Sequence, residues 1–286
     1  MNANEAILYW ADEYSRMAET YDRLVVPRFE PIAQLVANLA APKSGEFFLD
    51  LGTGTGLLAR VLSPLVAPQT VVAIDLADGA ISVGSYRAGD AGIRNIRFEM
   101  MDSRNIVYRG GLFDAVVSNM GIPSLGYDRA FAEVRRVLKP DGRLVFSEWA
   151  AGLPEGSAAL QDLIAKYRTT APSRTLAALR EADRLASESD EGRAISDPVR
   201  VAEALRAAGF AQIDTVSRSF SVRFPTARDL VAFEGSWGPT DRELSEMPAA
   251  SRASLDVDLA AMVASRTAAD GFEEPWKIHV YRARPG

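Results

Sequence analysis

The run Leu49-Asp50-Leu51-Gly52-Thr53-Gly54-Thr55-Gly56 sets three glycines at alternate positions directly behind an acid. Glycines so spaced let the backbone turn sharply and approach a ligand, and a following helix turns its first N–H groups to the same crevice. Dinucleotide-binding proteins use a similar loop. Two features argue against that reading: Leu57 stands where a dinucleotide fingerprint has glycine, and Asp50 suits a ligand ammonium group while repelling phosphate. Two further acids end apolar runs. Asp75 follows Val71 to Ile74, where a carboxylate can accept from both hydroxyls of a ribose. Asp102 follows Phe98 to Met101, where it can accept from an adenine amino group, although with Ser103 behind it the residue equally caps a helix. Three acids, with no lysine in the loop, disfavour a triphosphate.

These acids must be brought together by strands. Phe47 to Leu51, Val71 to Asp75, Ile96 to Met100, Phe113 to Val117 and Leu144 to Ser147 read as buried strands. They are separated by helical segments Gly56 to Val66, Asp78 to Ala91 and Tyr127 to Leu138, and Lys139 to Gly142 reads as a turn. That alternation implies parallel strands with right-handed crossovers and a ligand crevice at their carboxyl ends. Upstream, a helical stripe runs from Ala6 to Val26, broken before Pro27, and a second helix follows Pro31. Downstream, Ala158 to Ser187 reads as helical and Ser187 to Gly192 as an acidic connector. Asp197-Pro198 starts a helix that ends at Gly209, Phe210 to Val216 is a sixth strand, and Trp276 to Arg282 is the last. The expected divisions are a helical cap over 1–44, a cofactor-binding core over 45–150 and an inserted helical lid over 151–196. Residues 197–286 then complete the sheet, with a second helical insertion at about 224–272. The cap should cover the cofactor, and helices at 158–187 and 226–269 the acceptor.

Composition removes other chemistries. The 286 residues carry 32 Lys and Arg against 38 Asp and Glu, a formal charge of −6, which disfavours a nucleic-acid binder. There is no cysteine and one histidine, His279, which excludes thiol nucleophiles, thiolate metal sites and multi-histidine metal centres. The expectation is no metal, no membrane partner and, without a signal pattern in the first 30 residues, a cytoplasmic location.

Taken together, Phe48 to Gly56, Val72 to Asp75 with Leu76, Met101-Asp102-Ser103, Phe113 to Asn119 and Val137 to Leu144 resemble the class I S-adenosylmethionine-dependent methyltransferases. The likeness is to the branch that modifies small molecules, and it covers roughly residues 45 to 150. It implies an α/β, Rossmann-like, seven-stranded mostly parallel sheet with an antiparallel last strand. It also implies S-adenosylmethionine as cofactor, S-adenosylhomocysteine as product, and a transferase acting in small-molecule biosynthesis. By the same resemblance, Asp50 with Gly52, Thr53, Gly54 and Gly56 holds the methionine part, and Asp75 with Leu76 the ribose. Met101, Asp102 and Ser103 hold the adenine, and Ser118 and Asn119 pass the transferring methyl. Tyr14 and Tyr21 resemble tyrosines that close over the cofactor.

The sequence does not reveal the acceptor. Asn119-Met120-Gly121-Ile122-Pro123 lacks the Asn-Pro-Pro-aromatic motif of enzymes that methylate amino groups of nucleic acids and glutamine, which together with the acidic balance of charge favours a small organic acceptor. Oxygen, nitrogen and carbon nucleophiles all stay open, as does a homodimer. Trp10, Trp149, Trp237 and Tyr9 are pocket candidates or simple core aromatics. His279 is the one candidate base, by elimination, and a packed or surface histidine is the competing reading. Two other functions fit the same residues: a non-methylating reaction such as a cyclisation, and a cofactor-binding regulatory partner without turnover.

Overall fold

Asn2 opens the first helix, α1 (Ala3–Leu24), through a capping box: its side chain accepts from the Glu5 N–H at 3.0 Å while Glu5 accepts from the Asn2 N–H at 2.8 Å. The chain breaks at Val25, before Pro27 as expected. The second helix, α2 (Val26–Ala40), however, starts ahead of Pro31 and runs through it. The proline forfeits only the bond to the Pro27 carbonyl. Burial of Phe29, Ile32, Ala33 and Val36 on one face holds the helix together. The computed structural model describes residues 1–150, 154–264 and 272–286. Residues 151–153, where the lid was expected to begin, and 265–271, at the end of the second insertion, lie outside the described residues.

Seven strands form one sheet: β1 (Phe48–Leu51), β2 (Val71–Asp75), β3 (Ile96–Met100), β4 (Phe113–Asn119), β5 (Leu138–Trp149), β6 (Phe210–Phe224) and β7 (Phe272–Pro285). Their order is β3-β2-β1-β4-β5-β7-β6, with β1 to β5 parallel and β7 antiparallel to both its neighbours. The crossovers are α3 (Leu57–Val66), α4 (Asp78–Asp90) and α5 (Tyr127–Val137). Strand order reverses between β1 and β4, so the crevice at their carboxyl ends is the topological switch point. Lys139 to Gly142 is not a separate turn. Leu138 already pairs with Phe113, and pairing resumes at Arg143 with Ala115, so these residues bulge from β5. Both late strands run longer than their apolar cores suggest, because β6 and β7 pair with each other from Phe224 and Phe272 onward.

After β5 come α6 (Glu155–Tyr167), α7 (Arg174–Glu188), a short α8 (Asp190–Ala194) in place of the expected connector, and α9 (Pro198–Ala207). The helical stretch expected at 158–187 is thus two helices, separated around Pro172. Asp197 caps α9 as read, accepting from the Val199 N–H at 2.9 Å. The second insertion supplies α10 (Ala227–Glu234), α11 (Thr240–Ser245) and α12 (Ala249–Ala264). Apolar packing splits across the sheet. One side gathers Phe29, Val36, Leu58, Val117 and Trp276, and the other Leu51, Phe131, Phe146, Leu205 and Tyr281. Among the described residues no helix is long and apolar enough to cross a membrane.

Candidate active site

A cavity of about 460 Å³ opens at the switch point, within the range of small-molecule sites. It is lined by the loop after β1, the ends of β2, β4 and β5, the inner face of α1, and residues of α2, α7 and the segment after α10.

The three loop glycines serve different ends. Gly52, at φ +59°, lies against the strand-β4 loop: a Cβ there would sit 2.5 Å from the Gly121 carbonyl oxygen. Gly56, at φ +81°, makes room for the Phe98 ring, 2.6 Å from where its Cβ would be. Gly54, at φ +54°, meets only Tyr21, at 3.9 Å. Its bare backbone therefore fronts the cavity, a cradle that a side chain would fill. Ser118, itself outside the lining, fastens this arrangement by donating to the Leu51 carbonyl at 2.7 Å and accepting from the Gly121 N–H at 3.1 Å.

Four carboxyls and no Lys, Arg or His line the cavity among the described residues. Asp50 is buried. One oxygen accepts from the Thr53 hydroxyl at 2.6 Å, while Oδ1 is buried without a partner. Burial pushes its carboxyl up to about 7. Asp75 accepts from the Gly54 N–H at 2.8 Å and the Ala77 N–H at 2.9 Å, and burial raises it too. Glu148 is a buried acid at the end of β5, pushed up to about 8 by burial, with Oε1 unpartnered. Asp183 on α7 accepts from Trp10 Nε1 at 2.9 Å, and burial pushes it up to about 6.

Of the residues singled out in the sequence, Tyr14, Tyr21, Asp50, Gly52, Thr53, Gly54, Asp75, Leu76, Met101, Ser103 and Asn119 line the cavity, with Trp10, Trp149 and Trp237. Gly56, Asp102, Ser118, Tyr9 and His279 do not. Asp102 turns back on its own loop, where it accepts from the Arg104 N–H at 2.8 Å and from Arg104 Nη2 at 2.7 Å. Partial burial works against ionisation of Asp102, but the Arg104 bonds outweigh it and hold the carboxyl below the usual range. Arg104 then reaches Asn4 on α1 at 2.9 Å. His279 faces Glu148 in the β5–β7 register, and its ring Nδ1 sits 2.9 Å from the Ser217 hydroxyl on β6, outside the lining. The same lining carries an aromatic cluster. Trp149 and Trp237 lie 6.1 Å apart, and the Phe29 ring stands edge-on 6.0 Å from each. Glu148 and Asp183 were missed in the sequence. Glu148 carries the signal that flagged Asp50 and Asp75, an acid at the end of an apolar strand; Asp183, inside a charged helix, carries none.

Comparison with known proteins agrees with this geometry. A methyltransferase-domain family model matches residues 48–142. Nocamycin O-methyltransferase of Saccharothrix syringae is 30% identical over 238 residues, 79% of this chain and 80% of that protein. Demethylmenaquinone methyltransferase of Clavibacter sepedonicus is 29% identical over 243 residues, 83% of this chain and 94% of that one. Among solved structures, the YcgJ protein of Bacillus subtilis superposes with a TM-score of 0.57 at 17% identity, covering 88% of this chain and 97% of its own, a likeness of fold. The chain belongs to the class I S-adenosylmethionine-dependent methyltransferases. It is an enzyme, and S-adenosylmethionine is its cofactor. The site suits that group: a partnerless buried carboxylate oxygen meets a cation, an open glycine cradle admits a ligand, and an all-acid lining attracts positive charge.

Proposed function

We propose that this enzyme methylates a small, largely apolar organic acceptor bound at the aromatic end of the cavity. Positioning supplies most of the acceleration. The cofactor, when bound, contributes an electrophilic methyl carbon on a sulfonium centre. In this reading Asp50, Gly52, Thr53 and Gly54 hold its methionine part, and Asp75 and Leu76 its ribose. Met101 and Ser103 flank the adenine, with Asp102 acting behind them through Arg104. Gly56 and Ser118 shape the loop from outside the lining, Asn119 flanks the transferring methyl, and Tyr14 and Tyr21 cover the cofactor from the cap at 1–44.

The observation that carries the acceptor assignment is the Phe29–Trp149–Trp237 wall, continuous with the acid-lined half. Aromatic walls favour planar or apolar molecules. Holding two reactants in line is worth up to about 7–11 kcal/mol, so no dedicated base is required. Where the acceptor has a proton to lose, Glu148 is the lining carboxyl nearest that wall in sequence, and His279 is left out. Nocamycin, demethylmenaquinone and aklanonic acid methyltransferases, all named for small acceptors, support the class. Incubation with labelled cofactor and a panel of aromatic and polyketide-like acceptors, read by mass spectrometry, should yield S-adenosylhomocysteine and one methylated product. Turnover only with nucleic acid or protein substrates would overturn the assignment.

A further inference from the structure

Asp183 sits in the insertion that the sequence assigns to the acceptor side, yet the structure takes its helix elsewhere. Ala182, Leu185 and Ala186 of α7 pack with Ile7 and Trp10 of α1 and with Leu76, directly behind Asp75. The Trp10 indole N–H holds Asp183 Oδ1 at 2.9 Å, and the residue lines the cavity together with Tyr14, Asp75 and Leu76. Among the described residues Oδ2 meets no hydrogen-bond donor. Tyr14, on the inner face of α1, lines the same cavity within electrostatic reach of both acids. Asp75, by contrast, already gives an oxygen to each of the Gly54 and Ala77 N–H groups.

We propose that Asp183 is a second carboxylate for the cofactor's ribose, offering Oδ2 to a hydroxyl from the cap side while Asp75 serves from the sheet side. This rests on reading the acid-lined half of the cavity as the cofactor site. Helix α7 thereby closes over the cofactor. Only the remainder of the post-β5 insertion is left to face the acceptor. A ribose carries two hydroxyls, each with one proton to donate, so Asp75 and Asp183 can each accept from one of them.

The test is calorimetric, on the full chain, with S-adenosylhomocysteine and its 2′-deoxy and 3′-deoxy analogues as probes. Asp183→Asn should weaken S-adenosylhomocysteine about tenfold or more, the scale of a hydrogen bond to a charged group. The penalty should vanish for the deoxy analogue that lacks the hydroxyl Asp183 receives. Trp10→Phe keeps an aromatic ring but frees the carboxyl, and should weaken binding several-fold with the same dependence on that hydroxyl. Unchanged affinity in both variants, or a loss equal for all three probes, overturns the proposal. An Asp75→Asn comparison separates the two readings. If that variant loses binding while Asp183→Asn does not, Asp183 alone is misassigned. If wild type binds none of the probes, the cofactor site itself is wrong.

Discussion

The two halves of the cavity are built in different ways. The half proposed for the cofactor is made from backbone: turns that begin where β1, β2 and β4 end, glycines at positive φ, and acids that accept from nearby N–H groups. The half proposed for the acceptor is made from side chains that come from α2, the end of β5 and the segment after α10, held by ring contacts. A third set of bonds clamps the roof. Buried Glu13 on α1 pairs with Arg242 of α11 at 2.6 Å, and Arg180 of α7 grips Glu243 through two bonds of 2.6 Å. Backbone-built surface is fixed by the fold and cannot vary without breaking it. Side-chain surface can be exchanged residue by residue, which is how one fold serves many acceptors.

The largest predicted effect strikes the backbone half. Gly52→Val puts a branched side chain at φ +59° with its Cβ 2.5 Å from the Gly121 oxygen. Thermal or urea unfolding should show a loss of about 3 kcal/mol or more, from overpacking and backbone strain together. A variant as stable as wild type would mean that the β1 and β4 loops are not rigidly packed, and the contrast between halves would weaken.

A smaller effect sharpens the electrostatics. The Asp50 carboxyl is held up to about 7 by burial, above its ordinary range. Between that range and pH 7 the native state binds the extra proton, so Asp50 lowers the stability of the free protein as pH rises through this window. A bound ammonium group reverses the preference. Below pH 7, S-adenosylhomocysteine binding should therefore release up to one proton, detectable as heats that vary with buffer ionisation enthalpy. Affinity should rise by at most tenfold per pH unit towards 7. Binding without proton release at pH 6 would take Asp50 out of contact with the cation.

The smallest effect falls outside both halves. His279→Gln should leave cofactor affinity unchanged and lower turnover less than tenfold, because its ring lies beyond the lining and meets Ser217. A hundredfold loss, together with loss of a pH limb near neutrality, would restore it as the base.

The contrast between halves also explains what the sequence could reveal. That Asp50, Gly54 and Asp75 meet at one cavity was legible because a few consecutive residues place each at or just behind a strand end. The antiparallel β7 was legible as an apolar run, whereas its pairing with β6 as far as Phe272 depends on a partner, Phe224, 48 residues away. Asp102 looked like its two companions. Its turn toward Arg104 is a local choice between two acceptor roles, and the motif does not decide it. Asp183 became visible only once α7 was seen against α1. The Phe29–Trp149–Trp237 wall joins three distant segments, so only tertiary structure assembles it.

The measurement that tests the division most directly is calorimetric titration of S-adenosylhomocysteine into two variants, Gly54→Val and Trp149→Ala, each checked for folding by circular dichroism. Gly54→Val, whose side chain would fill the open cradle, should abolish measurable binding. Trp149→Ala should bind S-adenosylhomocysteine within about threefold of wild type while losing methyl transfer to the acceptor. The reverse pattern, with cofactor affinity intact in Gly54→Val and lost in Trp149→Ala, would contradict that division.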